Sequence, residues 1–365
     1  MPSGAQLLTL LLLSLGSTSA AEPTKNNFTV AAYLPEWRYE GANWVDISAS
    51  VTQLILFSLE VQPTGRLSAH DRLPRKELMQ QAREATRAAG CKLLICIGGN
   101  GRSAGFPLAV AKKERAQVFV DSLVALCDKY DLDGVDLNWE YPGYSFGRGY
   151  HAEDALQKDY KGLARLVRML HAAFAPSGRI LTLAYYPDGK QEQLFLQHGI
   201  HKYATNLHMM SYDQGGKHST MDFADKVARQ GAAVLPPALL TLGVPFYGRQ
   251  VEGGEGAWKS YEDLVQQHPE LQQEGGLIDE AGGFYLNGRA TIAAKVRLAR
   301  TLGLGGVMIW EVGQDCRVTA ITHGDKTHGV TCPQGEKSSL LVALRDAVAE
   351  PRGSYGPRGN EKMEL

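Results

Sequence analysis

Neither sign of charge is in excess in this sequence. Across 365 residues, 38 Lys and Arg stand against 39 Asp and Glu, a formal net charge of −1. That balance gives no electrostatic argument for a nucleic-acid or anionic-membrane partner. Long apolar runs are missing too: past residue 21, no segment is apolar enough over the ~20 residues a bilayer span needs. Cysteine is sparse, and Cys91, Cys96, Cys127, Cys316 and Cys332 show no metal-ligand spacing. The first three lie in apolar patterns and read as buried thiols; Cys316 and Cys332 flank a polar loop and are the candidate pair in an oxidising lumen. No repeat or low-complexity block divides the chain. Glycine, by contrast, is plentiful, with 40 residues spread along the length, which suits many tight strand–helix junctions.

The termini carry addresses. Leu7 to Leu15 is nearly all apolar and runs into Gly16-Ser17-Thr18-Ser19-Ala20-Ala21. This reads as a signal peptide over residues 1–21, with no Lys or Arg in its first part. Asn27-Phe28-Thr29 is an N-glycosylation sequon just beyond it. At the other end, Lys362-Met363-Glu364-Leu365 is similar to a K-D-E-L retention signal. A flexible tail, 351–365, Pro/Gly-rich from Pro351 to Asn360, would leave it free for a receptor. The expectation is the secretory pathway, with the endoplasmic reticulum lumen or secretion as destinations.

Between the termini, short apolar runs alternate with amphipathic stretches. The expected strands are Phe28–Leu34, Gln53–Phe57, Lys92–Ile97, Gly134–Asn138, Ile180–Tyr185, Asn206–Met210, Thr241–Val244 and Gly306–Ile309. Apolar residues at helical spacing separate them, as in Tyr160, Leu163, Leu166, Val167 and Leu170. A last helix runs from Ser338 to Ala349. Eight strand–helix units with nearly continuous apolar strands predict an α/β fold, a (β/α)8 barrel over residues 26–350. An open doubly wound sheet is the rival. The stretch Arg249 to Leu304 must also hold the seventh helix, which leaves little room for an α+β insertion, so none of sizeable extent is expected.

The most informative segment is Asp133-Gly134-Val135-Asp136-Leu137-Asn138-Trp139-Glu140-Tyr141-Pro142. As a strand, it places Asp136, Asn138 and Glu140 on one face and Val135, Leu137 and Trp139 on the other. Crowded carboxylates raise at least one pKa, the condition for a general acid near neutral pH. The segment resembles the D-x-x-D-x-D-x-E signature of glycoside hydrolase family 18, the chitinases and related endo-N-acetylglucosaminidases. Asp133, Asp136 and Glu140 match; Asn138 stands where that family has its third Asp. Further stretches are similar in the same order: Cys96-Ile97-Gly98-Gly99 to S-x-G-G, Met210-Ser211-Tyr212-Asp213 to M-x-Y-D, Pro245-Phe246-Tyr247-Gly248-Arg249 to P-F-Y-G-R, and Trp310-Glu311 closing the eighth strand.

The resemblance implies hydrolysis of β-1,4 bonds after N-acetylglucosamine, in chitin or chitooligosaccharides, with the substrate's own acetamido group as nucleophile and no metal or cofactor. Glu140 would be the acid/base, with Asn138, Asp136 and Tyr212 beside it. Tyr212 would donate to the acetamido oxygen, Asn138 would accept its N–H, and Asp136 would support Asn138. Asp133, Asp213, Trp310, Tyr33, Phe57, Arg249, Met210 and Tyr141 would complete the substrate site. Tyr144, Phe146 and Tyr150 stand as sugar-stacking or loop-anchoring residues, as do Trp37, Trp44 and Trp258. Non-proline cis peptides are implied at Trp310–Glu311 and Glu140–Tyr141. Two other functions stay open: cleavage in the chitobiose core of N-glycans, and a sugar-binding lectin on an inactive scaffold. A structural role in the secretory lumen is a weaker third. An amide at position 138 predicts a slow but competent hydrolase, prone to transglycosylation.

Overall fold

Eight parallel strands follow the apolar runs: β1 (Thr29–Pro35), β2 (Gln53–Val61), β3 (Lys92–Gly98), β4 (Gly134–Asn138), β5 (Ile180–Tyr185), β6 (Asn206–Met209), β7 (Leu240–Pro245) and β8 (Gly306–Trp310). This computed structural model describes residue 1 and residues 28–252, 257–272 and 278–351. Each strand pairs with the next, and β1 pairs in parallel with both β2 and β8, so the sheet closes on itself. The fold is a (β/α)8 barrel, not an open sheet. The signal-peptide region, the sequon residue Asn27 and the Lys362–Leu365 ending lie outside the described residues.

Alternation along the strands builds two cores. Leu54, Leu56 and Leu59 of β2 face outward and meet the helices in the larger core. Ile55 and Phe57 face inward and join Ala31, Tyr33, Leu94, Cys96 and Met308 inside the barrel. The helix Glu153–Phe174 covers one side by burying Leu156, Tyr160, Leu163, Leu166, Val167 and Leu170, three or four residues apart. The helix Leu340–Ala349 starts from Ser339, whose side chain accepts the Val342 N–H. Ser339 also donates to Asp315 at 2.6 Å, tying this helix to the chain after β8. Cys316 and Cys332 pair as a disulfide in that region, and Cys91, Cys96 and Cys127 are buried and free.

Two features extend past the sequence reading. Strand β2 continues from Phe57 to Val61 and pairs antiparallel with Leu67–Ser68. The seventh connection holds, besides the helix Arg289–Thr301, a small antiparallel sheet of Trp258–Ser260, Tyr247–Gln250, Phe284–Tyr285 and Glu280–Ala281, with the short helix Tyr261–Gln267. Strands of two to four residues are too short to show a period, and so escape a pattern search. This sheet stands where the substrate mouth is expected, at the C-terminal ends of the barrel strands.

Candidate active site

Strand β4 sets the site from the barrel axis outward. Its innermost acid, Asp136, is fully buried. Its carboxylate accepts from Tyr33 Oη at 2.8 Å and from Thr182 Oγ1 at 2.7 Å, and His208 Nε2 lies 3.9 Å away. Burial pushes the His208 imidazole down to about 4, outweighing the pull of Asp136. His208 is therefore neutral near neutral pH, and both oxygens of Asp136 are engaged below the cleft, with no bond to Asn138. The expected support of Asn138 by Asp136 is thus corrected: Asn138 is held from the other side.

That holding group is Glu140. Asn138 Nδ2 donates to Glu140 Oε1 at 3.0 Å, while Asn138 Oδ1 is buried with no partner among the described residues. A buried acceptor without a donor costs about 1–3 kcal/mol. Ser103 Oγ accepts the Glu140 N–H at 3.1 Å and lies 3.2 Å from the Asn138 carbonyl, pinning the chain as it leaves β4. Burial, helped by the charge of Asp213, raises the Glu140 carboxyl from 4.5 to about 7, against hydrogen bonds from Asn138, Tyr141 and the Asn100 backbone. A carboxylic acid that keeps its proton near neutral pH can serve as a proton donor.

Across the mouth, Tyr212 is buried, and its hydroxyl donates to Met308 Sδ at 3.6 Å. A thioether is a weak acceptor, so a better one can take this hydroxyl at small cost. Burial raises the Tyr212 phenol well above its ordinary value, which keeps it a donor. Next to it, Asp213 adopts φ +63° and accepts from Tyr247 Oη at 2.6 Å and Arg249 at 3.1 Å, with His218 Nδ1 at 3.7 Å. Burial works to raise its carboxyl; His218, Tyr247 and Arg249 outweigh burial and hold it below the ordinary range. Trp310 packs on Phe57 (4.7 Å between centroids) and Tyr33 (5.5 Å), a plate at the barrel axis. The Phe57–Ser58, Glu140–Tyr141 and Trp310–Glu311 peptides are cis; the sequence reading anticipated the last two.

A cleft of about 1250 Å³ joins these groups. Tyr33, Phe57, Asn138, Glu140, Tyr141, Met210, Tyr212, Asp213, Arg249 and Trp310 all line it, with Asp136 just beneath. Asp133 does not join them. It precedes β4, at the opposite end of the barrel, where its carboxylate takes Arg83 at 2.6 Å and the Leu93 N–H at 2.9 Å. Its expected place in the substrate site is corrected: three residues from Asp136 it is out of phase with the inward set and sits at the wrong end of the strand. Trp44 is likewise core, packed on Tyr39. Sequence reasoning missed Asn100 and Arg102 after β3, and Tyr186, Asp188 and Gln191 after β5, all lining the cleft. Their signal was available: each lies within a few residues of a strand's C-terminal end.

The chain is similar to Chitinase 1 of Aphanocladium album, 25% identical over 376 residues, covering 84% of this chain and 86% of that protein. It is 25% identical to Probable chitinase 2 of Drosophila melanogaster over 70% of its own length and 64% of the relative's. In fold it is similar to catalytic domain 2 of the Ostrinia furnacalis Group II chitinase, with a TM-score of 0.70 at 21% identity over 91% of this chain and 98% of that one. The GH18 chitinase ChiB of Flavobacterium johnsoniae gives 0.67 at 22% identity, over 88% and 94%. The family model for glycosyl hydrolases family 18 matches residues 29–315, all eight barrel strands with the site just described, and the chain belongs to that family.

Proposed function

We propose that this chain hydrolyses β-1,4 linkages following N-acetylglucosamine in chitin oligosaccharides, with Glu140 as the acid/base of a substrate-assisted, retaining reaction. The observation that carries this reading is the unpartnered oxygen of Asn138 beside a carboxyl held near 7. An acetamido N–H supplies the donor that oxygen lacks. The acetamido carbonyl oxygen meets the Tyr212 hydroxyl, which trades its thioether for a stronger acceptor. Trp310 offers an apolar plate to the ring's C–H face.

The reaction then balances in two steps. Glu140 gives its proton to the glycosidic oxygen; the bond from that oxygen to C1 breaks as the acetamido oxygen bonds C1 from the other face. The product is an oxazolinium ring on the enzyme and a free alcohol. Glu140, now a carboxylate, takes a proton from water as the water oxygen bonds C1 and the ring opens. Two inversions leave the configuration retained, and Glu140 is reprotonated. Family membership and the chitinase names of the relatives support this substrate class.

Asn138 favours a second reading. An amide carries no negative charge toward the oxazolinium cation, and one such electrostatic partner is typically worth on the order of 10²- to 10³-fold in rate. A lectin that binds N-acetylglucosamine glycans and turns them over slowly or not at all would tolerate that loss. Glu140→Gln assayed beside wild type on a fluorogenic chitobioside separates the two. Turnover lost with chitooligosaccharide affinity kept supports the hydrolase; no turnover in either, with equal affinity, supports the lectin. The apolar leader and the K-M-E-L ending favour a secretory site of action, where N-glycan cores carry the same linkage, and the Cys316–Cys332 disulfide suits an oxidising lumen. Product analysis on chitotetraose alongside a chitobiose-core glycopeptide decides between the two substrates.

A further inference from the structure

Behind the cleft wall stands a histidine with no partner of its own. His218 is fully buried, and neither ring nitrogen has a hydrogen-bond partner among the described residues. The other buried histidines described are each bonded through one nitrogen: His208 Nδ1 meets Thr241 Oγ1 at 2.7 Å, and His323 Nε2 meets the Ala42 carbonyl at 3.1 Å. A buried polar group left unsatisfied in a fold calls for a reason. The His218 ring packs on Tyr247 at 4.9 Å and Tyr285 at 6.1 Å, and its Nδ1 stands 3.7 Å from Asp213 Oδ1. That is about 0.5 Å beyond a full hydrogen bond. Bonds that serve a site commonly reach full strength only in the complex. Burial, helped by the charges of Lys295 and Arg249, outweighs Asp213 and holds the imidazole below its ordinary value. Near neutral pH the ring is therefore neutral, with a single N–H to give.

Asp213 treats its two oxygens differently. Every bond it takes falls on Oδ1, from Tyr247 Oη at 2.6 Å and Arg249 at 3.1 Å, with His218 the third group aimed there. Oδ2 has no hydrogen-bond partner among the described residues, and the side chain is 45% exposed in the cleft it lines. A carboxylate fixed by one oxygen can aim the other, provided the groups that fix it are themselves held. His218 is held. The loop from Asp213 closes where the Gln214 N–H donates to the His218 carbonyl at 3.3 Å. The next residue, Ser219, is gripped from the seventh connection. Lys295, fully buried in the helix Arg289–Thr301, donates to the Ser219 carbonyl at 2.9 Å and to its hydroxyl at 2.7 Å. Asn287 Nδ2 donates to the same carbonyl at 2.8 Å. Ser219 Oγ in turn donates to the Ser211 carbonyl at 3.1 Å, two residues before Asp213. Both legs of the loop are thereby tied to the barrel wall.

We propose that His218 is a positioning residue for Asp213: its ring N–H closes on Oδ1 when a sugar hydroxyl takes Oδ2, and so keeps the carboxylate aimed at the substrate. The sugar rests on the glycosidase reading above; the positioning is tested without turnover. In a Glu140→Gln background, calorimetry measures chitotriose affinity in three variants. His218→Phe keeps a ring and loses the donor, and is expected to weaken binding about three- to tenfold, as one lost hydrogen bond does. His218→Asn carries an N–H at the place of Nδ1 and recovers at least half of that loss. His218→Gln carries its amide at the place of Nε2, away from Asp213; it loses as much as the Phe variant and stands in for it if that variant does not fold. With Asp213→Ala added, the loss disappears, because the carboxylate through which His218 acts is gone. With Glu140 restored, His218→Phe raises KM by the same factor and leaves kcat within about twofold. Equal losses in all three variants, a loss that persists in Asp213→Ala, or no loss at all overturns the proposal. If wild type turns over nothing while the loss is seen and depends on Asp213, the hydrolase reading fails and the positioning stands.

Discussion

The two ends of β4 carry one carboxylate each, and they have opposite fates. Asp133, before the strand, is tied to Arg83, to the Leu93 N–H and, at 3.5 Å, to Lys92. Burial alone would raise its carboxyl, yet those partners outweigh burial and hold it below the ordinary range. Glu140, after the strand, faces a cleft with an amide that gives it one hydrogen bond, and burial lifts its carboxyl to about 7. One acid is held ionised by its partners; the other is lifted by burial to where it can give and take a proton near neutral pH. In a barrel, the N-terminal end of a strand serves stability and the C-terminal end serves chemistry. Here ten residues of sequence show both, seven positions apart.

On the hydrolase reading, Tyr212→Phe takes away the hydroxyl proposed to donate to the acetamido oxygen, and is expected to lower kcat by about 10²- to 10³-fold with the fold intact, read by chitobioside kinetics and circular dichroism. A loss under threefold would mean that Tyr212 is only part of the inner core. Next in size, Asn138→Asp puts a charge beside the proposed oxazolinium cation and should raise kcat by about ten- to a hundredfold. Unchanged or lower turnover would refute the account of position 138. At the other end, Asp133→Asn should cost about 1–3 kcal/mol of stability, because the half-buried Arg83 keeps Asp131 but loses the second of its two carboxylate partners, and the Leu93 N–H loses a charged acceptor, while kcat/KM shifts by less than about twofold. The sign with pH follows from the lowered carboxyl. Its contribution is present above the unfolded value near 3.8 and is lost as pH falls through the folded one. The Tm difference between wild type and Asp133→Asn should therefore shrink in acid.

The barrel was legible because its strands are buried on both faces and read as continuous apolar runs; Gly134–Asn138 and Ile180–Tyr185 begin and end where the pattern does. Much of the cleft was legible for a related reason: residues at strand C-ends converge in a closed barrel. Asp133 was misplaced because the signature was followed past its own parity; alternation admits Asp136, Asn138 and Glu140 and excludes a residue three before the first. The link from Asp136 to Tyr33 and Thr182 was out of reach, since it joins three strands whose side chains meet only once the sheet closes. The small sheet at Tyr247–Tyr285 and the hairpin at Tyr144–Tyr150 were hidden by strands of two to four residues.

In the proposed reaction Glu140 works as a protonated acid beside a neutral amide, Asn138. The pH dependence of kcat/KM tests it most directly. We expect activity to fall as pH rises through about 7, where the raised Glu140 carboxyl loses its proton, and the residual rate of Glu140→Gln to lack that alkaline limb. An activity that climbs steadily through pH 7, or the same limb in Glu140→Gln, would contradict the account.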